Sequence, residues 1–188
     1  MTDGAAALLL LAWVVRAALA ALFATALWHK ARAPRDFVAA LANYRLLPAL
    51  LVPVAAGALM VAEAAALAGL LTPPLPVGPF AWLAATLLGI YAFAIAVNLG
   101  RGRTAIDCGC HGFSGRQQIA GWMVARNLVV ATAAVVLARV GQGNEALPLP
   151  EAGDWVTVVG ATAMVCLLYA LLHYLAANAR QLAKGRGN

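Results

Sequence analysis

Residues 80–99 read FAWLAATLLGIYAFAIAVNL, twenty positions without a single charge. A helix rising 1.5 Å per residue covers roughly 30 Å over such a stretch, the thickness of the hydrocarbon of a bilayer, and every backbone N–H and C=O is satisfied inside it. The segment therefore predicts a transmembrane helix. Working outward from it, four more apolar runs of similar length appear, at about Ala5 to Trp28, Leu46 to Leu71, Ile119 to Val140 and Trp155 to Ala177. The predicted fold is all-α: a polytopic membrane bundle of five spans in one domain covering 1–188. Composition agrees, with 64% hydrophobic and 11% charged residues against about half and a quarter in soluble domains.

The breaks between spans are polar or rich in proline. His29-Lys30-Ala31-Arg32-Ala33-Pro34-Arg35 ends the first, and Thr72-Pro73-Pro74-Leu75-Pro76 ends the second. Asp36 to Arg45 is too short and mixed to cross and predicts a short interfacial helix. The first run is too long for a cleaved signal peptide, lacks a preceding basic region and is followed by no small-residue cleavage site.

Orientation follows from the basic residues, which favour cytoplasmic loops. Lys30, Arg32, Arg35, Arg45, Arg101, Arg103, Arg116, Arg180, Lys184 and Arg186 fall on one side of the five spans, while Arg139 stands alone on the other among Asp3, Glu145, Glu151 and Asp154. This predicts an N-terminus outside and a C-terminus in the cytoplasm, in a bacterial inner membrane. The formal charge of +6 is mostly that asymmetry. Scattered over short loops without a stacking platform, it argues against nucleic-acid binding.

The third connection holds the most reactive chemistry. Asp107-Cys108-Gly109-Cys110-His111-Gly112 brings two of the three cysteines within two positions of each other. Thiols so placed can cycle between dithiol and disulfide, and the small ring of the oxidised form is strained and easily reduced. Arg101, Arg103 and Arg116, with His111, favour the thiolate that attacks in exchange, while Asp107 opposes them. His111 is the candidate proton acceptor. Two alternatives compete with redox cycling. One is chance packing of small apolar side chains; the second is a soft metal ion on Cys108, Cys110 and His111, which lack the usual zinc spacing and a second cluster. The basic-residue rule puts this pair on the cytoplasmic side, yet stable disulfides belong to the oxidising side. Either the pair relays electrons outward, or the connection, with glycines at 100, 102, 109, 112 and 115, re-enters the bundle within reach of the outside.

Tyr44-Arg45-Leu46-Leu47-Pro48, Glu63, and Asn98-Leu99-Gly100-Arg101-Gly102-Arg103 leading into Asp107-Cys108-Gly109-Cys110 together resemble the MauE family of DoxX-like integral membrane proteins, from Arg16 to about Asn127. His111-Gly112 stands where that family usually has Phe-Gly. The resemblance implies a four-helix core followed by a C-terminal helix. It also implies a redox-associated membrane protein needed for maturation of the disulfide-rich small subunit of methylamine dehydrogenase, a periplasmic client, together with a thioredoxin-like partner of the MauD type.

Polar residues inside the spans are costly in hydrocarbon and hence candidates for function. Arg16, Glu63 and Arg126 with Asn127 are such residues, and Glu63 is expected to pair with Arg16 or with Arg126. The plain role is an ion pair that fixes helix order; the sharper one has Arg126 or Arg16 binding the carbonyl of a quinone that reoxidises the thiols. Cys166, Tyr169 and His173 recur at i, i+3 and i+7 and share a helix face. Cys166 is a candidate resolving thiol and His173 a candidate proton relay, against packing and interface anchoring as the ordinary roles. Small residues at 17, 21, 24, 57, 58, 62, 65 and 66 predict close helix contacts. A non-catalytic membrane scaffold for an assembly factor, its cysteines structural or weakly metal-binding, is the alternative to the redox reading.

Overall fold

The computed structural model describes residues 3–73, 75–104, 106, 118–141 and 146–185, of which 3 and 176–185 by backbone only. Among them it contains six α-helices and no β-sheet: α1 (Asp3–Arg32), α2 (Pro34–Asn43), α3 (Val52–Leu71), α4 (Val77–Gly100), α5 (Gly121–Val140) and α6 (Asp154–Gly185), with one 3-10 turn at Ala49–Leu51. Five are long and apolar enough to span a membrane: α1, α3 with its leading turn, α4, α5 and α6. The short amphipathic α2 begins on Pro34, where a missing N–H costs nothing, and it buries Phe37 and Ala40. The expected interfacial helix thus exists. The first span, however, does not break at His29. Its helix continues through Arg32 because Lys30 finds a partner inside the bundle.

Successive long helices run antiparallel, as their contacts show. Gly69 of α3 lies under the Phe80 ring of α4, and Gly78 of α4 approaches Gly141 just beyond α5. The edge-to-face ring pair of Trp13 and Trp155 joins the start of α1 to the start of α6. The main apolar core lies among α1, α3, α4 and α5, with Phe23, Ala66, Leu70, Ala84, Leu87, Ala134 and Leu137 all nearly inaccessible. By contrast α6 is largely outward-facing: Val156, Val159, Leu167, Leu168, Leu171 and Leu172 are exposed on the bundle surface, where lipid rather than water is the natural solvent. Four core helices plus a peripheral sixth match the expected architecture.

Of the small residues expected at close helix contacts, Ala66 is fully buried and Ala62 packs against the core, while others do not make one. Gly57 has open space around it, and Ala24, Ala58 and Ala65 face outward. The tight points are Gly69, Gly78 and Gly141. A Cβ on Gly78 would lie 2.7 Å from the Gly141 carbonyl oxygen, a backbone atom that moves only with its helix. Gly78→Ala is therefore expected to push α4 and α5 apart and destabilise the protein by about 1–3 kcal/mol. Thermal unfolding in detergent would measure this, and Gly57→Ala should be nearly silent beside it.

Candidate functional site

The site begins with a charge that the sequence pattern places in a loop. Lys30 is 3% exposed and Glu63 0%, and the two form a buried ion pair through Nζ and Oε1. Tyr91 of α4 closes the group, its hydroxyl donating to Glu63 Oε1 at 2.6 Å and accepting from Lys30 Nζ at 3.2 Å. Lys30 also sits over the rings of Phe37 and Tyr91, 4.7 and 4.8 Å from their centroids. Three transmembrane helices and α2 thus meet on one ammonium. Burial on this scale is tolerable because the charge is paired and caged by aromatic faces. Neither expected partner of Glu63, Arg16 or Arg126, forms that pair.

Arg16 does something else. Its Nε donates to Leu70 O at 2.7 Å, and its Nη2 to Thr72 O at 2.7 Å and to Gly69 O at 3.3 Å. These are carbonyls of the last turn of α3 and the residue after it, left without intrahelical donors at the negative end of the helix dipole. The guanidinium also lies over the Trp13 ring, 4.8 Å from its centroid. Arg16 is therefore a cap in trans that fastens α1 to the end of α3. Sequence alone shows a charge in a span; that its partners are main-chain carbonyls needs the fold.

Beside the Lys30–Glu63–Tyr91 group lies a cavity of about 90 Å³ bounded also by His29, Arg126, Asn127, Tyr169 and His173. Arg126 donates from Nη2 to Asn127 Oδ1 at 3.1 Å and stands over the rings of Trp122 and Tyr169. His173, 6% exposed, meets Trp122 edge-on at 5.3 Å and stacks on Tyr169 at 6.3 Å. Two buried atoms of the wall have no hydrogen-bond partner among the described residues, Glu63 Oε2 and His173 Nδ1. The shared face of Cys166, Tyr169 and His173 does point inward. Tyr169 and His173 line this chamber, whereas Cys166 and Tyr169 line a second, almost wholly apolar cavity of about 380 Å³ between α1, α5 and α6. The structure thus gathers Glu63, Arg126 and His173 in one place, puts Cys166 next to it, and leaves Arg16 elsewhere. Lys30 and Tyr91 escape sequence reading, the first because it sits in a basic run and the second because an uncharged tyrosine inside an apolar span gives no sign of a buried polar partner.

Cys108, Cys110 and His111 lie outside the described residues, but the segment that carries them has a defined base. The end of α4 is a Schellman cap: Gly102 N donates to Leu99 O at 3.0 Å and Arg103 N to Asn98 O at 3.0 Å, with Gly102 at φ 70. Arg103 Nη1 reaches Asn98 Oδ1 and Tyr44 O, at 3.3 and 3.4 Å, and Arg101 Nη1 reaches Arg45 O at 3.4 Å. The two stretches Tyr44–Pro48 and Asn98–Arg103 are therefore one structural unit, in which Arg45 holds a left-handed φ of 48. Ile119 N then donates to Ile106 O at 3.0 Å, and both side chains are buried with Tyr44, Ile95 and Met123. That clasp closes residues 107–117 at their root. It lies at the same end of the bundle as the polar chamber, since Arg126 is five and Tyr91 nine residues from the facing ends of α5 and α4, roughly 8 and 14 Å along the axes.

These features define a multi-spanning helical membrane protein with a buried, charged chamber near one end and a clasped, cysteine-bearing connection at that same end. The family model described as methylamine utilisation protein MauE matches residues 8–140, the stretch that contains α1 to α5 apart from the first turn. Curated relatives extend further. The chain is 41% identical over 177 residues to methylamine utilization protein MauE of Paracoccus denitrificans, covering 93% of this chain and 94% of that one. It is 43% identical over 169 residues to the Paracoccus versutus protein of that name, with 90% and 86% covered, and 37% identical over 179 residues to that of Methylorubrum extorquens, with 91% and 92% covered. The chain belongs to the MauE family. No solved structure matches it.

Proposed function

We propose that this protein is a membrane-embedded thiol–disulfide redox protein of methylamine utilisation, with Cys108 and Cys110 as the cycling pair and His111 as the proton acceptor. On this reading it supports disulfide formation in periplasmic clients, the small subunit of methylamine dehydrogenase among them, alongside a thioredoxin-like MauD-type protein. The observation that supports it most is the Ile106–Ile119 clasp. A connection that carries two cysteines is rooted in a buried apolar cluster, and the chain leading into it is braced by Arg101 and Arg103. A connection serving only to join α4 to α5 needs no such anchorage.

On the same reading the chain sits in the bacterial inner membrane. Nine basic residues besides Lys30 support a cytoplasmic assignment for the end with the cysteine connection and the C-terminus, so the pair serves a periplasmic client either as an outward electron relay or through a connection that re-enters the bundle. Lys30 drops out of that sum, because Glu63 neutralises it inside the bundle. Cys110→Ala, made in cells that express the client and its partner, is expected to accumulate a mixed disulfide through Cys108, visible as a reductant-sensitive band after acid quenching and alkylation. Absence of that band, with client maturation intact in the Cys108→Ser/Cys110→Ser protein, would overturn the redox reading in favour of a scaffold. Labelling with a membrane-impermeant maleimide from either side of intact cells tests the orientation.

A further inference from the structure

The two cavities are neighbours with opposite character. Leu22, Thr25 and Tyr169 line both. The larger, about 380 Å³, has a wall of Val14, Ala18, Val130, Ala133 and Val165 and lies where the outward-facing α6 crosses α1 and α5. The smaller, about 90 Å³, ends in Glu63, Asn127 and His173. Together they form an apolar slot between α1, α5 and α6 that leads to a small polar end. Two atoms at that end, Glu63 Oε2 and His173 Nδ1, are buried without a partner among the described residues, in side chains of residues that are 0% and 6% exposed. Leaving such atoms unmatched is destabilising, and a ligand that brings a complementary hydrogen-bonding group to that point relieves it.

We propose that this pair of cavities is a binding site for a lipid-soluble quinone, its ring edge in the polar chamber and its tail in the slot between α1, α5 and α6. Size and chemistry choose this occupant. About 150 Å³ suffices for a benzene ring, so the slot takes a ring and the start of a tail, while the polar end has room for a ring substituent but not for a phosphoglycerol headgroup. The polar wall mixes groups that can donate and accept. The Glu63 carboxylate, ionised in its pair with Lys30, accepts from a hydroquinone hydroxyl, while the His173 imidazole can donate to a quinone carbonyl or accept from the hydroxyl. A fatty-acid carboxylate fits less well, because Glu63 already faces the chamber and Arg126 is engaged with Asn127, Trp122 and Tyr169. Binding itself stands independently of the cysteines. Its consequence rests on the proposed function: oxidation of the Cys108 and Cys110 thiols to a disulfide releases two electrons and two protons, and these convert one quinone to one hydroquinone.

The test uses the full-length protein in lipid nanodiscs of synthetic phosphatidylcholine, titrated with a decyl-substituted benzoquinone and with the same ring lacking the decyl chain. Saturable binding of one decyl quinone per chain is expected. Ala133→Phe or Ala18→Phe, which fill the slot from different helices, should weaken the decyl quinone at least tenfold and leave the tailless ring within about twofold. His173→Leu should weaken both about tenfold. Cys108→Ser/Cys110→Ser should bind as the parent does, which separates failure of the ligand site from failure of the thiol chemistry. No saturable binding, indifference of the decyl quinone to both phenylalanine substitutions in folded protein, or full displacement of the quinone by equimolar oleate overturns the proposal.

Discussion

Glu63→Leu is expected to lower the stability of the protein by about 3–5 kcal/mol, the cost of leaving one partner of a buried ion pair uncompensated. The reason lies in the wall around Lys30. With the carboxylate gone, the ammonium keeps, among the described residues, the Tyr91 hydroxyl and the faces of Phe37 and Tyr91, and none of these carries a negative charge. Lys30→Met should cost comparably, since it strands the carboxylate instead. The double variant Lys30→Met/Glu63→Leu is the discriminating one. Replacing both members with apolar side chains of similar volume removes the desolvation cost along with the attraction, so it should recover most of the lost stability. Thermal unfolding of the four proteins in one detergent completes the cycle. If both single changes leave the melting temperature unmoved, the pair does not hold α1, α3 and α4 together.

Arg16→Met is the second large effect, expected at about 2–4 kcal/mol. Three carbonyls at the end of α3 lose a charged donor, and each hydrogen bond to a charged group is worth about 1.5–3 kcal/mol before the relief of desolvating the guanidinium is counted. Arg16→Lys should fall between parent and Arg16→Met. It keeps the charge but cannot present the planar fork that reaches Leu70 O and Thr72 O at once. A local loss is expected first: amide hydrogen exchange should speed up in the last turn of α3 before it does in α4. Uniform acceleration across the bundle would argue that Arg16 acts through Trp13 and the start of α1 instead.

Much is legible in the chain. The uncharged run at 80–99 and its four companions specify spanning helices because bilayer thickness and helix rise leave a single length that fits, and the described helices end close to the expected breaks. The 3.6-residue period also puts Tyr169 and His173 on one inward face. The Asn98–Arg103 and Tyr44–Pro48 stretches are recognisable as a pattern, but their meaning as one braced unit appears only when Arg101 and Arg103 are seen donating to the carbonyls of 44 and 45.

What the linear order could not determine is which polar groups face each other. Hydropathy sees Lys30 as the edge of a loop, since it lies between His29 and Arg32, yet Phe37 of α2, Glu63 of α3 and Tyr91 of α4 surround its ammonium. It sees Arg16 and Glu63 as opposite charges in adjacent spans and invites them to pair. In the fold Arg16 meets the carbonyl end of α3, and Glu63 meets Lys30 and Tyr91 instead. Main-chain carbonyls are identical in every residue and carry no signature in sequence. Composition and period thus determined the class, the number of spans and the inward faces. The rotation and offset of each helix against its neighbours decided the partners, because a shift of a single turn moves a side chain about 5.4 Å, more than the reach of a hydrogen bond.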